Sequence, residues 1–507
     1  MACSHPTMRK SKGAALAPCV RVGVSRRLVI LPESGAGGEL AGVTAVEEFY
    51  RCHVNPNARR AAEFVTRHSP RYSGMSPFKR TVKNVPAAKA TDLLALLDQD
   101  IRHDPYPLYA RLRAQAPFRL EPAPVVVLAS HEDCIAMLRH PQASVDGNRA
   151  TLPVGRAVLK DSMPADAPSS LDQPSFLFRD PPDHTRLRRL VSKAFTARVV
   201  QRLEPRIAEL VDDALDRAAE AGSLDVVADL AYPLPVTVIC ELLGVPLEDE
   251  PRFRRWSGLL VRSLDPVLAI TGRRSEHLAE QLDAAVEVHR YFNDLVADRR
   301  AGSGDDLLSN LLRVRDAGDE LSTDELIATC VLLLLAGHET TVNLISGGAL
   351  ALLRNPAALD ALRADPGLGA AVVEEALRYD PPVQLLVRVA GEPMRLSGLD
   401  IAQGDVVLML LAAAERDPAA YENPDRFDPW REPPRHLAFG LGTHFCLGAP
   451  LARLECRLAL TRLVQRVGAP HLAVDPPPYK PNATLRGPSA MPLEFDEIRP
   501  KSDLIPA

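Results

Sequence analysis

Residues 439–448 read Phe439-Gly440-Leu441-Gly442-Thr443-His444-Phe445-Cys446-Leu447-Gly448. A lone cysteine among glycines and two phenylalanines describes a sulfur that is both approached and sheltered. A thiolate that binds a metal must keep its charge, so it needs hydrogen-bond donors or positive potential and protection from water and oxidants. Gly442 and Gly448 let the backbone bend close to the sulfur, and a helix expected from about Ala449 aims its positive N-terminal end at it. Phe439 can cover it, while Leu451, Leu454, Leu458 and Leu460 give the helix a packing face. A buried, inert cysteine in a glycine-rich turn is the plain alternative, and it also suits Cys456, which has no such surroundings.

The other cysteines do not extend the site. Eight are scattered at 3, 19, 52, 134, 240, 330, 446 and 456, without the spacing of a zinc site or a secreted disulfide framework, which predicts a cytoplasmic protein. The 507 residues, 46% of them hydrophobic, suffice for a large core in one or two domains. With 60 basic and 65 acidic residues the net charge of −5 gives no general attraction to nucleic acid or an anionic membrane. Uninterrupted apolar runs such as 331–336 and 406–414 fall short of the roughly 20 residues of a membrane span, so none is expected. Arg9, Lys10 and Lys12 before 13–20 faintly imitate an export signal, but Arg21 cuts the apolar segment short.

Residues 1–90 are basic and aperiodic and are expected to be an extension, disordered or ahead of the true start, with Met75 an alternative first residue. From Thr91 onward helical patterns dominate, and 125–128 and 405–411 read as strands. The clearest helix is expected over Thr323–Leu353. Ser322 and Glu325 form a capping box, Asn355-Pro356 supplies the stop, and the middle is apolar on every face, as in a buried central helix. Within it Gly337-His338-Glu339-Thr340-Thr341 interrupts the apolar run. His338-Glu339 could open a zinc-protease helix, but the required second histidine is Val342.

Taken together these motifs resemble the cytochrome P450 family. Phe439, Gly442, Cys446 and Gly448 match its haem-binding signature F-x-x-G-x-x-x-C-x-G, with Cys446 as axial ligand to the iron. Glu375-Ala376-Leu377-Arg378 resembles the family's E-x-x-R helix and Pro424-Asp425-Arg426-Phe427 its later meander, implying a buried network of Glu375, Arg378 and Arg426. His184 and Arg188, one helical turn apart in 180–188, together with Arg388 and His444, match the positions that hold the haem propionates. Carboxylates carried into an interior need such cations. Gly337, Glu339 and Thr340 match the A-G-x-D/E-T segment. There the small residue leaves room for dioxygen, and Thr340 with Glu339 relays protons through water. A threonine hydroxyl back-bonded to its own helix is the plain alternative. One departure is Ala414-Glu415-Arg416-Asp417-Pro418, where many bacterial members have Asn in place of Glu415.

The resemblance covers roughly residues 91–495 and implies a mainly α fold with a small β-rich region, over a haem domain of 91–507. It implies haem b as cofactor and a monooxygenase that inserts one atom of dioxygen into a small hydrophobic organic substrate. Electrons would come from NAD(P)H through a ferredoxin reductase and a ferredoxin, with Arg189 and Lys193 as docking candidates. A peroxide-driven peroxygenase is the first alternative, opposed by the acid-alcohol pair. A non-catalytic haem sensor or redox carrier is the second. Substrate contacts are expected from 145–178, 253–278 and 383–387.

Overall fold

Thr323–Leu353 forms one helix of 31 residues. Its start is the expected capping box: Ser322 Oγ accepts from the Glu325 N–H at 3.1 Å and the Glu325 carboxylate accepts from the Ser322 N–H at 2.9 Å. At 1.5 Å per residue it is about 46 Å long, and its apolar residues are buried almost without a gap. A helix buried over most of its surface must be packed against others, and the rest of the fold does this.

The computed structural model describes residues 87–152, 154, 163, 166–300, 306–313, 321–432 and 435–505, all within one unit, Val54–Ala507. The expected basic extension and Met75 lie outside the described residues; the first described helix begins at Ala87. Among the described residues the helices are α1 (Ala87–Ala95), α2 (Tyr106–Gln115), α3 (His131–Arg139), α4 (Asp183–Ser192), α5 (Ala197–Ala221), α6 (Pro233–Leu243), α7 (Glu250–Leu260) and α8 (Val267–Thr271). They continue with α9 (Leu278–Arg300), α10 (Leu307–Arg313), the central α11 (Thr323–Leu353), α12 (Pro356–Ala364), α13 (Gly369–Tyr379), α14 (Leu411–Ala414) and α15 (Ala449–Arg466). α11 packs against α6, α9, α13 and α15 in the largest apolar cluster.

The smaller part is β-structure. β1 (Phe118–Leu120), β2 (Val125–Leu128), β3 (Ala143–Ser144), β5 (Leu385–Ala390) and β8 (Val406–Leu410) form a sheet in the order β1-β2-β8-β5-β3. β2 and β8 are the two apolar runs read as strands, and they pair in parallel from Val125↔Val406 to Leu128↔Met409. β5 pairs antiparallel with β8, setting Arg388 opposite Val407. β4 (Leu224–Asp225), β9 (His471–Leu472) and β10 (Pro492–Glu494) make a second sheet, and β6 (Met394–Leu396) with β7 (Leu399–Ile401) a two-stranded ribbon.

By mean hydropathy two helical segments, Val226–Leu243 and Thr323–Leu353, are long and apolar enough to cross a membrane. Counting uninterrupted runs overlooks both, because polar residues interrupt them. In each, 67% of the apolar window is buried inside the protein, which accounts for the apolarity as core packing.

Candidate active site

Cys446 lies in the last turn before α15. Its N–H donates to Phe439 O at 2.8 Å and the Phe445 N–H to Gly442 O at 3.1 Å, closing the loop round the sulfur. Gly442 has φ +69° and a Cβ there would stand 3.1 Å from Leu138 O, so both conformation and space demand glycine. Gly448 differs from expectation. Its φ of −82° is open to any residue, so no left-handed bend requires glycine there. Burial pushes the Cys446 thiol up from its ordinary range; the N–H groups of Gly448 and Ala449 and the guanidinium groups of Arg188 and Arg453 pull it down without prevailing. Protein dipoles alone therefore leave a thiol, and a bound cation would make it a thiolate. Cys456 is fully buried in the packing of α15, as expected, with its Sγ 3.9 Å from Leu344 O.

Near this sulfur four basic residues converge. His184 and Arg188 lie on α4, Arg388 on β5, and His444 in the thiol loop. The His184 and His444 rings are 4.2 Å apart between centroids. Both nitrogens of His184 are buried without a hydrogen-bond partner, and Arg388, also buried, donates to Val387 O at 3.0 Å. Burial lowers Arg388 to about 10, and burial followed by the repulsion of His184 and Arg388 lowers His444 to about 3. Asp180, the nearby carboxylate, is engaged by Ser144, the Val145 N–H and Arg149. Arg188, half-buried like His444, donates to Phe445 O, so His184 is the member left without an acceptor, and a buried donor in that state among basic neighbours suits an anionic partner.

The donor set as a whole fits a haem. Among the described residues no three His, Cys, Asp or Glu side chains converge to cage an ion, so a metal on Cys446 must bring its other ligands with it. A porphyrin does so, and its two propionates supply the carboxylates that His184, Arg188, Arg388 and His444 call for.

The E-x-x-R network forms with one change of partner. Arg378 grips Glu375 through two bonds of 2.8 and 2.7 Å and donates to the carbonyls of Glu415, Pro424 and Arg426. Arg426 contributes only that carbonyl; its side chain is 67% exposed. The third charged member is Arg431, only 13% exposed, whose Nε lies 3.5 Å from Glu375. The meander turns Arg426 outward and brings its fifth successor back. Both arginines stand in one short stretch, and residue type does not distinguish them.

α11 divides the remaining candidates between two faces. Successive residues of a helix point about 100° apart, so Glu339 and Thr340 meet different surroundings. Ala336 is exposed and Thr340 half-buried, whereas Glu339 and Asn343 are buried. Thr340 Oγ1 donates to Ala336 O at 2.8 Å, the back-bond of the plain alternative. Glu339 accepts from Lys480 at 2.8 Å, a partner the sequence does not announce. A Cβ on Gly337 would stand 3.2 Å from Ile239, so this glycine serves the close approach of α6. Of the expected substrate-contacting residues, Phe253 and Trp256 are buried in an aromatic cluster with Tyr291. Leu386 and Val387 are half-buried, and Leu177 is exposed. Much of 153–165 lies outside the described residues.

The family model for cytochrome P450 matches residues 160–365 and 368–491. The chain belongs to the cytochrome P450 family. It is 42% identical over 429 residues to the cytochrome P450 monooxygenase PikC of Streptomyces venezuelae, covering 82% of this chain and 97% of that protein. The vitamin D(3) 25-hydroxylase of Pseudonocardia autotrophica is 42% identical over 400 residues, 77% of this chain and 93% of its own length. The ligand-free crystal structure of Mycobacterium smegmatis CYP164A2 superposes with a TM-score of 0.74 at 50% identity, covering 80% of this chain and 99% of that one. The P450 fold and a haem-dependent monooxygenase activity follow from this membership.

Proposed function

We propose that this P450 holds haem b through Cys446 and hydroxylates a small hydrophobic organic molecule with electrons relayed from NAD(P)H. The observation that carries the reading is the buried His184, with neither ring nitrogen partnered, grouped with Arg188, the buried Arg388 and His444 beside a cysteine whose loop directs two backbone N–H groups at it. When bound, a thiolate-ligated haem supplies the activation of dioxygen, one atom entering the substrate and the other leaving as water.

The chain's own residues do the rest. Gly448 N–H, Ala449 N–H and Arg188 stabilise negative charge on the sulfur. The four basic residues offset the propionates and fix the ring's orientation. Thr340 Oγ1, on the open face of α11, holds a proton at the oxygen-binding side, and Glu339 replaces it. Leu386, Val387 and Leu177 offer apolar contacts to substrate, in keeping with the name of the vitamin D(3) hydroxylase. Arg189 and Lys193 are exposed on the surface next to α4 and suit an acidic ferredoxin that a ferredoxin reductase recharges, in the cytoplasm.

The test is the reduced carbon monoxide spectrum. Cys446→Ser is expected to lose the red-shifted band of thiolate ligation, and Cys456→Ser to keep it. The reverse outcome would assign the ligand to Cys456 and overturn the reading.

A further inference from the structure

Lys480, which lies outside the motifs, reaches into the centre of α11. Its ammonium donates to Glu339 Oε2 at 2.8 Å and to Asn343 Oδ1 at 2.9 Å, bridging two positions one turn apart on the buried face. The loop that carries it is pressed on the helix. The Lys480 N–H donates to Gly487 O at 3.1 Å, and a Cβ on Gly487 would lie 2.3 Å from Asn343 Oδ1, so only glycine permits the approach. On the other side of the carboxylate, His338 Nε2 is 3.8 Å away, and Ser257 of α7 stands 3.1 Å from that same nitrogen. The His338 Nδ1 is 2.6 Å from Leu334 O, which makes it the donor and leaves Nε2 an acceptor. Burial lowers His338, so the ring is neutral and Lys480 supplies the positive charge.

We propose that Lys480 is a positioning residue that holds the Glu339 carboxylate on the buried face of α11, so that its release governs when this acid serves the open face where Thr340 stands. The proposal rests on the reading of Glu339 as the proton source. Three observations support it. Glu339 and Thr340, though adjacent in sequence, occupy different faces. Lys480 comes from the C-terminal loop, so movement of that loop changes the clamp without moving α11. The Lys480 side chain is 19% exposed against 9% for Glu339, so the clamp is also the wetter end of the pair. Although burial works to raise it, Glu339 is held below its ordinary range, chiefly by the Lys480 ammonium.

The test uses the full, haem-loaded chain with Lys480→Met, Lys480→Gln and Lys480→Arg. The groups facing Glu339 are Lys480, His338, Asn343 and Ser257, with Glu250 acting on His338. Removing the ammonium leaves a buried carboxyl without its cation, so the protonated-carboxyl infrared band, assigned by its disappearance in Glu339→Gln, should appear near neutral pH. Its titration midpoint should rise by about 2 pH units or more. The pH profile of product formation should shift with it. Lys480→Arg should restore both, and Lys480→Gln keeps a donor in place should the methionine variant fold poorly. Absence of the band and an unmoved profile in folded Lys480→Gln would overturn the clamp. A shifted band with coupling unchanged in both Lys480→Gln and Glu339→Gln would instead sink the proton-source reading alone.

Discussion

Replacing Glu415 by Gln should remove a pH dependence from the stability of this protein. The Glu415 side chain is fully buried, accepts from the Leu437 N–H and, at 2.9 Å, from the Tyr421 hydroxyl, and is pushed up to about 8. Burial is the main cause. The Leu437 N–H, Tyr421 and Arg378 oppose it, and Glu375 adds to it. Between the ordinary value of 4.5 and about 8 the folded chain keeps a proton that the unfolded chain has released, so stability is complete below 4.5 and falls as pH rises. Each unit costs about 1.4 kcal/mol. The interval of about 3.5 units therefore removes roughly 5 kcal/mol by pH 8, with no further loss above it.

Gln titrates nowhere in this range and keeps the shape. Its amide oxygen accepts from Leu437, and its NH2 donates to Tyr421, whose hydroxyl then turns to His131 Nε2 at 3.1 Å. Urea unfolding of the two haem-loaded proteins, followed by circular dichroism from about pH 5 to about pH 9, reads the difference. Other titrating groups cancel between the pair. The variant should match the wild type at the acid end and exceed it by roughly 3–5 kcal/mol at the alkaline end. Parallel stability curves would show that Glu415 is ionised in the folded chain, and the reasoning from burial would be refuted.

Two further outcomes follow from the network and the helix. Arg431→Ala should cost roughly 3 kcal/mol and lower haem content, because it strips a buried partner from Glu375, whereas Arg426→Ala should stay within about 0.5 kcal/mol; thermal unfolding and the haem-to-protein ratio check both, and a larger loss from Arg426→Ala would restore it to the network. Thr340→Ala should leave haem content and substrate binding in place and divert reducing equivalents to hydrogen peroxide, measured as product formed per NAD(P)H consumed; unchanged coupling would make the back-bond to Ala336 its whole role.

Most of the fold was legible because its signals are local. The capping box at Ser322 and the proline after Asn355 set the ends of α11 by hydrogen-bonding rules that operate within four residues. The valine run of β2 could be read as a strand from residue type alone. Its parallel pairing with β8, some 280 residues away, could not, since no short-range pattern records which two buried runs meet. The thiol loop and the four basic residues were legible as types at family positions. Arg426 was misread because a meander has no period from which to infer which side chain turns inward.

The site's chemistry depends most on what adjacency in sequence conceals. Glu339 and Thr340 are neighbours in the chain, but a helix rotates about 100° between them, so the pair that reads as one motif stands as two groups facing different surroundings. Thr340 is half-buried, one turn from the exposed Ala336. Glu339 looks toward a lysine 141 residues further on. A carboxylate so buried would be neutral without a cation, and with one it is ionised and held in place, so the charge that makes Glu339 available as a base also keeps it from Thr340. Proton transfer between them requires either that the Lys480 contact loosen or that water span the two faces. The first makes turnover sensitive to the C-terminal loop, and the second does not, so comparing Lys480→Arg with Lys480→Gln distinguishes the two routes by the same pH profile.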